Sequence, residues 1–159
     1  MFKLPLLKTS LAATAALVAL TGFAVAGECP AGKVKEGAVT SGPDKPVGVT
    51  DAVIGSIDLA PKGGDFKGQL LRMRKLTIAP GGIVPWHEHS QRPANIYVVS
   101  GTIKEHRANC SVAIVHKAGD TAVEFGVGFA HWWKNTSKKP VVLISADIFQ
   151  AEMKDPDMM

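Results

Sequence analysis

From Pro46 onward, turn-forming residues cut the chain into short apolar runs, and no amphipathic stretch of a dozen residues offers a helix. Residues 49–59 form one run, and residues 70–78 form a second that Pro80-Gly81-Gly82 is expected to end. Residues 95–99 are β-branched and aromatic, Ser100-Gly101 is a tight turn, and residues 102–106 follow. Residues 112–116 stop at Ala118-Gly119-Asp120, and the remaining runs are 121–125, 131–135 and 141–149. Many short strands between regular turn signals predict an all-β sandwich or barrel. At 159 residues the chain supports one such domain. Residues 46–150 are read as the barrel, 27–45 as an arm lying over it, and 151–159 as a polar tail.

The first 26 residues read as a secretory signal. Lys3 and Lys8 give a positive start, residues 11–25 are small or apolar without a charge, and Ala24-Val25-Ala26 suits a signal peptidase. Cleavage is expected after Ala26, which implies a periplasmic or secreted protein with no membrane attachment afterwards. The leader carries two basic and no acidic residues, so the formal charge falls from +4 to +2 on its removal. The remaining Lys and Arg are scattered, which excludes a nucleic-acid-binding stripe. Arg72 and Arg74, two apart in an extended run, share one face and read as a solvated strand face. Cys29 and Cys110 are the only cysteines. An even count in an oxidising compartment predicts a disulfide between them, tying the arm to the body.

The chemistry concentrates in three histidines. In an extended chain, residues i and i+2 point to one face, so His87 and His89 converge while Glu88 turns away. Two such imidazoles make half of a metal site, and His131, at the start of another strand, can complete it. Gly81-x5-His87-x-His89, with Gly101 after Ile96-Tyr97-Val98-Val99-Ser100, resembles the first motif of the cupin superfamily. Gly119-Asp120, then Gly126-x-Gly128-x-x-His131-x3-Asn135, resembles its second. The resemblance implies a jelly-roll β-barrel (a double-stranded β-helix) holding one divalent metal ion on His87, His89 and His131, with iron, manganese, nickel, copper or zinc as candidates. It also implies a tendency to form homodimers.

Two departures from the family pattern matter. Gly126 stands where the family has a proline, a turn variant. Ala94, seven residues before Gly101, stands where the family has its glutamate ligand. Gln91 from the preceding loop, or Asn95 after a one-residue slip, are the substitutes considered for it. Three neutral imidazoles leave a divalent charge uncompensated, which favours a small anionic or chelating molecule, with Arg92 as a guanidinium clamp. Cupin dioxygenases that act on thiols, diketones and ring-hydroxylated aromatic acids are similar in using three histidines and iron. The resemblance therefore implies dioxygenase-like chemistry, and the alternative is a non-catalytic module that holds a metal or small ligand for sensing, scavenging or protection.

Alternation from His131 places Trp133 on the pocket side and Trp132 on the outer side. Trp86 faces opposite to His87, and Tyr97 faces away from Ala94. His106 and His116 are read as structural or surface residues.

Overall fold

The computed structural model describes residues 27–151, so the expected leader and residues 152–159 of the tail lie outside the described residues. Eight strands build the fold: β1 (Val47–Asp58), β2 (Gln69–Glu88), β3 (Ala94–Ser100), β4 (Thr102–Arg107), β5 (Ile114–Lys117), β6 (Thr121–Glu124), β7 (Ala130–Lys134) and β8 (Val141–Gln150). They follow the order β5-β4-β7-β2-β8-β3-β6, with β1 added on β2, and every pair is antiparallel. The sheet curls into a nearly closed barrel. Among the described residues there is no α-helix, only two single-turn 3-10 segments between β1 and β2. The all-β barrel expected from the turn pattern is observed, in the double-stranded β-helix form that the family resemblance implies.

Strict alternation sets what faces inward. Along β8, Val141, Leu143, Ser145, Asp147 and Phe149 are buried, while the residues between them are more exposed. Leu76 and Ile78 from β2, Ile96 and Val98 from β3, Ile103 from β4 and Trp133 from β7 join Val141 and Leu143 in one apolar cluster. Each large side chain buried there contributes about 1.5–3 kcal/mol.

Two expectations fail here, each for a reason of long-range pairing. Pro80-Gly81-Gly82 does not end a strand, because β2 runs through it and changes partner. Its first half pairs with β8 as far as Ile78↔Val141, and its second half pairs with β7 from Ile83↔Lys134. Gly81 has φ +77° at this corner. Asn135 holds the corner closed. Its side-chain amide lies 3.0 Å from the Ile78 carbonyl, 3.1 Å from that of Ala79 and 2.8 Å from that of Lys139. The corner places His87 and His89, at the far end of β2, over the barrel mouth.

The second correction concerns Arg72 and Arg74, which do share a face, but the buried one. Asp147 on β8 receives Arg72 Nε at 3.0 Å, Arg72 Nη2 at 2.7 Å and Arg74 Nη1 at 3.2 Å. Asp51 on β1 pairs with the other side of the Arg74 guanidinium. A basic alternation stays in the interior only when carboxylates meet it there.

The arm packs on the outside of this barrel. Cys29 and Cys110 form the disulfide, and Val34 bridges Cys110. Lys35 N–H donates to Asn109 O at 3.0 Å, and Trp86 N–H donates to Pro43 O at 2.8 Å, so the arm crosses from the β4–β5 loop to β2. At Gly42 a Cβ would stand 2.5 Å from Trp132 Cδ1, so the crossing requires glycine.

Candidate metal centre

His87 on β2 and His131 on β7 are directly paired across the strands. His89 follows one residue after β2 ends, and the side chains of His89 and His131 are fully buried. One ring nitrogen from each of the three histidines lies within 4.8 Å of the others. The ring centroids stand 4.6–5.0 Å apart.

The tautomers follow from what each Nδ1 meets. His87 Nδ1 is 2.8 Å from Pro85 O, His89 Nδ1 is 2.7 Å from Arg92 O, and His131 Nδ1 is 2.7 Å from Glu105 Oε1. All three partners are acceptors, so each Nδ1 carries the hydrogen and each Nε2 turns a lone pair inward. His87 Nε2 and His131 Nε2 stand only 3.2 Å apart, and His89 Nε2 has no hydrogen-bond partner. Lone pairs facing one another at this range call for a cation between them, and this donor set fits a divalent metal.

The electrostatics favour the neutral form of His87 and His89. Burial, with His131 and His89 beside it, holds the His87 pKa well below the ordinary histidine value. Burial and then His131 lower that of His89 to about 3. Neutral imidazole is the form that ligates metal. Glu105 is fully buried, and burial alone would raise its pKa. Hydrogen bonds from His116, His131 and Arg107 overcome that and hold it ionised well below the usual carboxylate range. Its carboxylate accepts from His116 Nε2 at 2.9 Å and from Arg107 Nε at 2.8 Å, so His131 is oriented from behind by a charged, fully partnered group.

A small pocket opens beside His87 and His89. His87 and His89 line it together with Arg92, Ala94, Glu124 and Trp133, and Arg74, Ser145 and Asp147 add charged and polar groups. Arg92, Ala94 and Trp133, singled out in the sequence, are therefore brought together here, all buried. Gln91 is not, because it is exposed, and Asn95 points outward on β3. Neither takes the place of the glutamate that Ala94 replaces. Tyr97 is exposed, as its place in the alternation requires. Trp132 lies on the outer side, stacked on His106 at 4.0 Å with 6° between the rings. His116 is fully buried and packs against Trp133 with centroids 4.5 Å apart.

Residues 74–147 match the family model described as a cupin domain. The chain carries a cupin domain. Comparison with curated protein sequences gives no match. Among solved structures, one similar to this cupin is an uncharacterised conserved protein with a double-stranded β-helix domain from Klebsiella pneumoniae. It is 19% identical with a TM-score of 0.50, over 69% of this chain and 81% of that one. A second is a predicted oxalate decarboxylase from Thermotoga maritima, 17% identical with a TM-score of 0.51, over 74% of this chain and 98% of that one. At these identities the likeness concerns the fold.

Sequence reasoning missed Glu124 at this cupin centre. Its Oε2 lies 3.2 Å from His89 Nε2 and its Oε1 lies 3.6 Å from His131 Nε2. Burial raises its pKa to about 7, with His131 and Arg92 pulling the other way. The signal was present in Thr121-Ala122-Val123-Glu124, where alternation puts Ala122 and Glu124 on one face. Only the pairing of β6 with β3 shows that this face is the inner one. Glu105 and Asp147 were missed for the same reason.

Proposed function

We propose that this cupin holds one divalent metal on His87, His89 and His131 and uses it to bind a small chelating anion, with dioxygenase-like oxidation as the enzymatic outcome. The observation that carries the reading is the common tautomer: three Nδ1–H groups are tied to acceptors, which leaves three Nε2 lone pairs converging. A bound divalent metal would supply Lewis acidity and, if iron, a site for redox chemistry.

The cavity supports an anionic ligand. Arg74 and Arg92 line it against Asp147 and Glu124, so with all four ionised a divalent metal leaves the site near +2. Arg92 lies beside the histidines and is placed to meet a carboxylate or enolate oxygen. Leu76, Val84, Ile96 and Trp133 give the pocket apolar lining as well. The disulfide and the leader-like first 26 residues support an exported protein working in an oxidising compartment.

The test is metal content of the protein purified from its native compartment, followed by titration with oxalate and with acetylacetone. About one equivalent of metal is expected, lost in His89→Ala, with both probes binding only the metal-loaded form. Absence of metal would refute the site. Oxygen uptake with a bound chelator supports the oxygenase outcome, and chelator binding without uptake assigns a binding module instead.

A further inference from the structure

We propose that Glu124 is the carboxylate ligand of this centre, supplied from β6 at the point where position 94 on β3 has only a methyl group. The inference rests on the three-histidine reading above and names a fourth donor for it.

Register is the first argument. Ala94 and Glu124 are directly opposed partners in the β3–β6 ladder, so their side chains leave the sheet on the same face and toward the same space. Ala94 stops short of the histidines, and the longer Glu124 side chain crosses from the neighbouring strand to reach them. The exchange moves a carboxylate sideways by one strand without moving it out of the site.

The contacts are the second argument. Glu124 Oε2 is 3.2 Å from His89 Nε2, yet His89 Nε2 makes no hydrogen bond. His89 donates its one ring hydrogen, on Nδ1, to Arg92 O, so its Nε2 meets Glu124, when that carboxylate is ionised, lone pair to lone pair. Glu124 Oε1 is also buried without a hydrogen-bond partner, 3.6 Å from His131 Nε2. Both side chains are only 2% exposed. A buried acceptor facing a buried acceptor is costly unless a cation joins them. The same unmet demand exists between His87 Nε2 and His131 Nε2 at 3.2 Å. One metal ion among four donors answers all of it.

The exchange also has a consequence for ligands. A glutamate at position 94 would approach the metal from β3, next to Asp147, which pairs with Ala94 on its other side. With the carboxylate on β6, that flank of the metal is bordered by a methyl group and lies open to the cavity.

The experiment uses Co2+ as the probe and the full mature chain. Wild type is expected to bind one equivalent with visible absorption bands from the coordinated ion. In Glu124→Gln the affinity should fall by about tenfold or more, and the bands should change as the coordination changes. The double variant Ala94→Glu with Glu124→Ala, which returns the carboxylate to β3, should recover binding, and it decides the matter if Glu124→Gln fails to fold by circular dichroism. Wild-type affinity with unchanged bands in Glu124→Gln overturns the proposal, as does weaker binding with unchanged bands, which would mark an outer-sphere role. If wild type itself binds no Co2+, the three-histidine reading fails first, and the two failures are thereby distinct.

Discussion

Along β8, Val141 and Leu143 face the interior at one end of the barrel, and Ser145 and Asp147 face it at the other. β2 runs alongside with the same change, from Ile78 and Leu76 to Arg74 and Arg72, and β6 passes from Ala122 to Glu124. One end is an apolar plug, and the other is a charged chamber with the histidines at its mouth. The two are made by the same strands at the same period, so alternation decides only which residues face inward. Whether the inward positions are apolar or ionic is settled by their cross-strand partners. The plug gains stability from every group it buries. The chamber is held by matched charges, and any single removal there leaves an unpaired ion.

That contrast predicts unequal sensitivities. The largest effect is expected at Asp147, which holds both Arg72 and Arg74. Asp147→Ala should lower stability by about 3–5 kcal/mol in urea unfolding, because two buried guanidinium groups lose their shared carboxylate. A loss no greater than that of an exposed site would break the distinction between chamber and plug. Ile78→Ala, at a fully buried plug position, should cost about 3 kcal/mol and leave Co2+ affinity unchanged. A matching fall in metal affinity would show that the two ends are one cooperative unit. Glu105→Gln should weaken Co2+ binding of the folded protein by about tenfold and also lower its stability, since it removes the charge that orients His131 and pairs with Arg107.

The smallest effect belongs to the outer face. Burial, together with Lys104 and Lys134, lowers the His106 pKa below 6.5 against the smaller opposing pull of Glu105. A depressed folded pKa gives a contribution present above the unfolded value and lost as pH falls through the folded one. His106 should therefore stay neutral on Trp132 at pH 6.5 and protonate below it. Trp132 fluorescence should change on that limb only, and His106→Phe should abolish the change. A transition above pH 6.5 would contradict the sign.

The same contrast explains what could be read before the structure. The barrel was legible because turn residues and two spaced motifs are local signals, and His87 and His89 were legible because i and i+2 must share a face. Alternation puts Arg72 and Arg74 on one face, but it does not say that this face is the buried one. Nothing within ten residues of them names Asp147 as their partner. Glu124 was passed over because β6 has only four residues, too few to display which of its faces is buried. Gln91 and Asn95 were considered for the missing ligand because they neighbour Ala94 in sequence, whereas its neighbour across the ladder is thirty positions away. Register between strands is the information a single strand does not carry.

The arm that crosses the barrel brings one more group of contacts to bear. Arg107 takes the Gly27 carbonyl at 2.9 Å and the Glu28 carboxylate at 2.9 Å on its outer side, and on its inner side it grips Glu105. Glu105 in turn holds His131, so three non-covalent links in series run from Glu28, next to the clasp at Cys29 and Cys110, to a histidine of the metal centre. The disulfide on the outside and the carboxylate behind His131 thus meet at one guanidinium, so the oxidised arm and the inner face of the barrel share a single hinge pin.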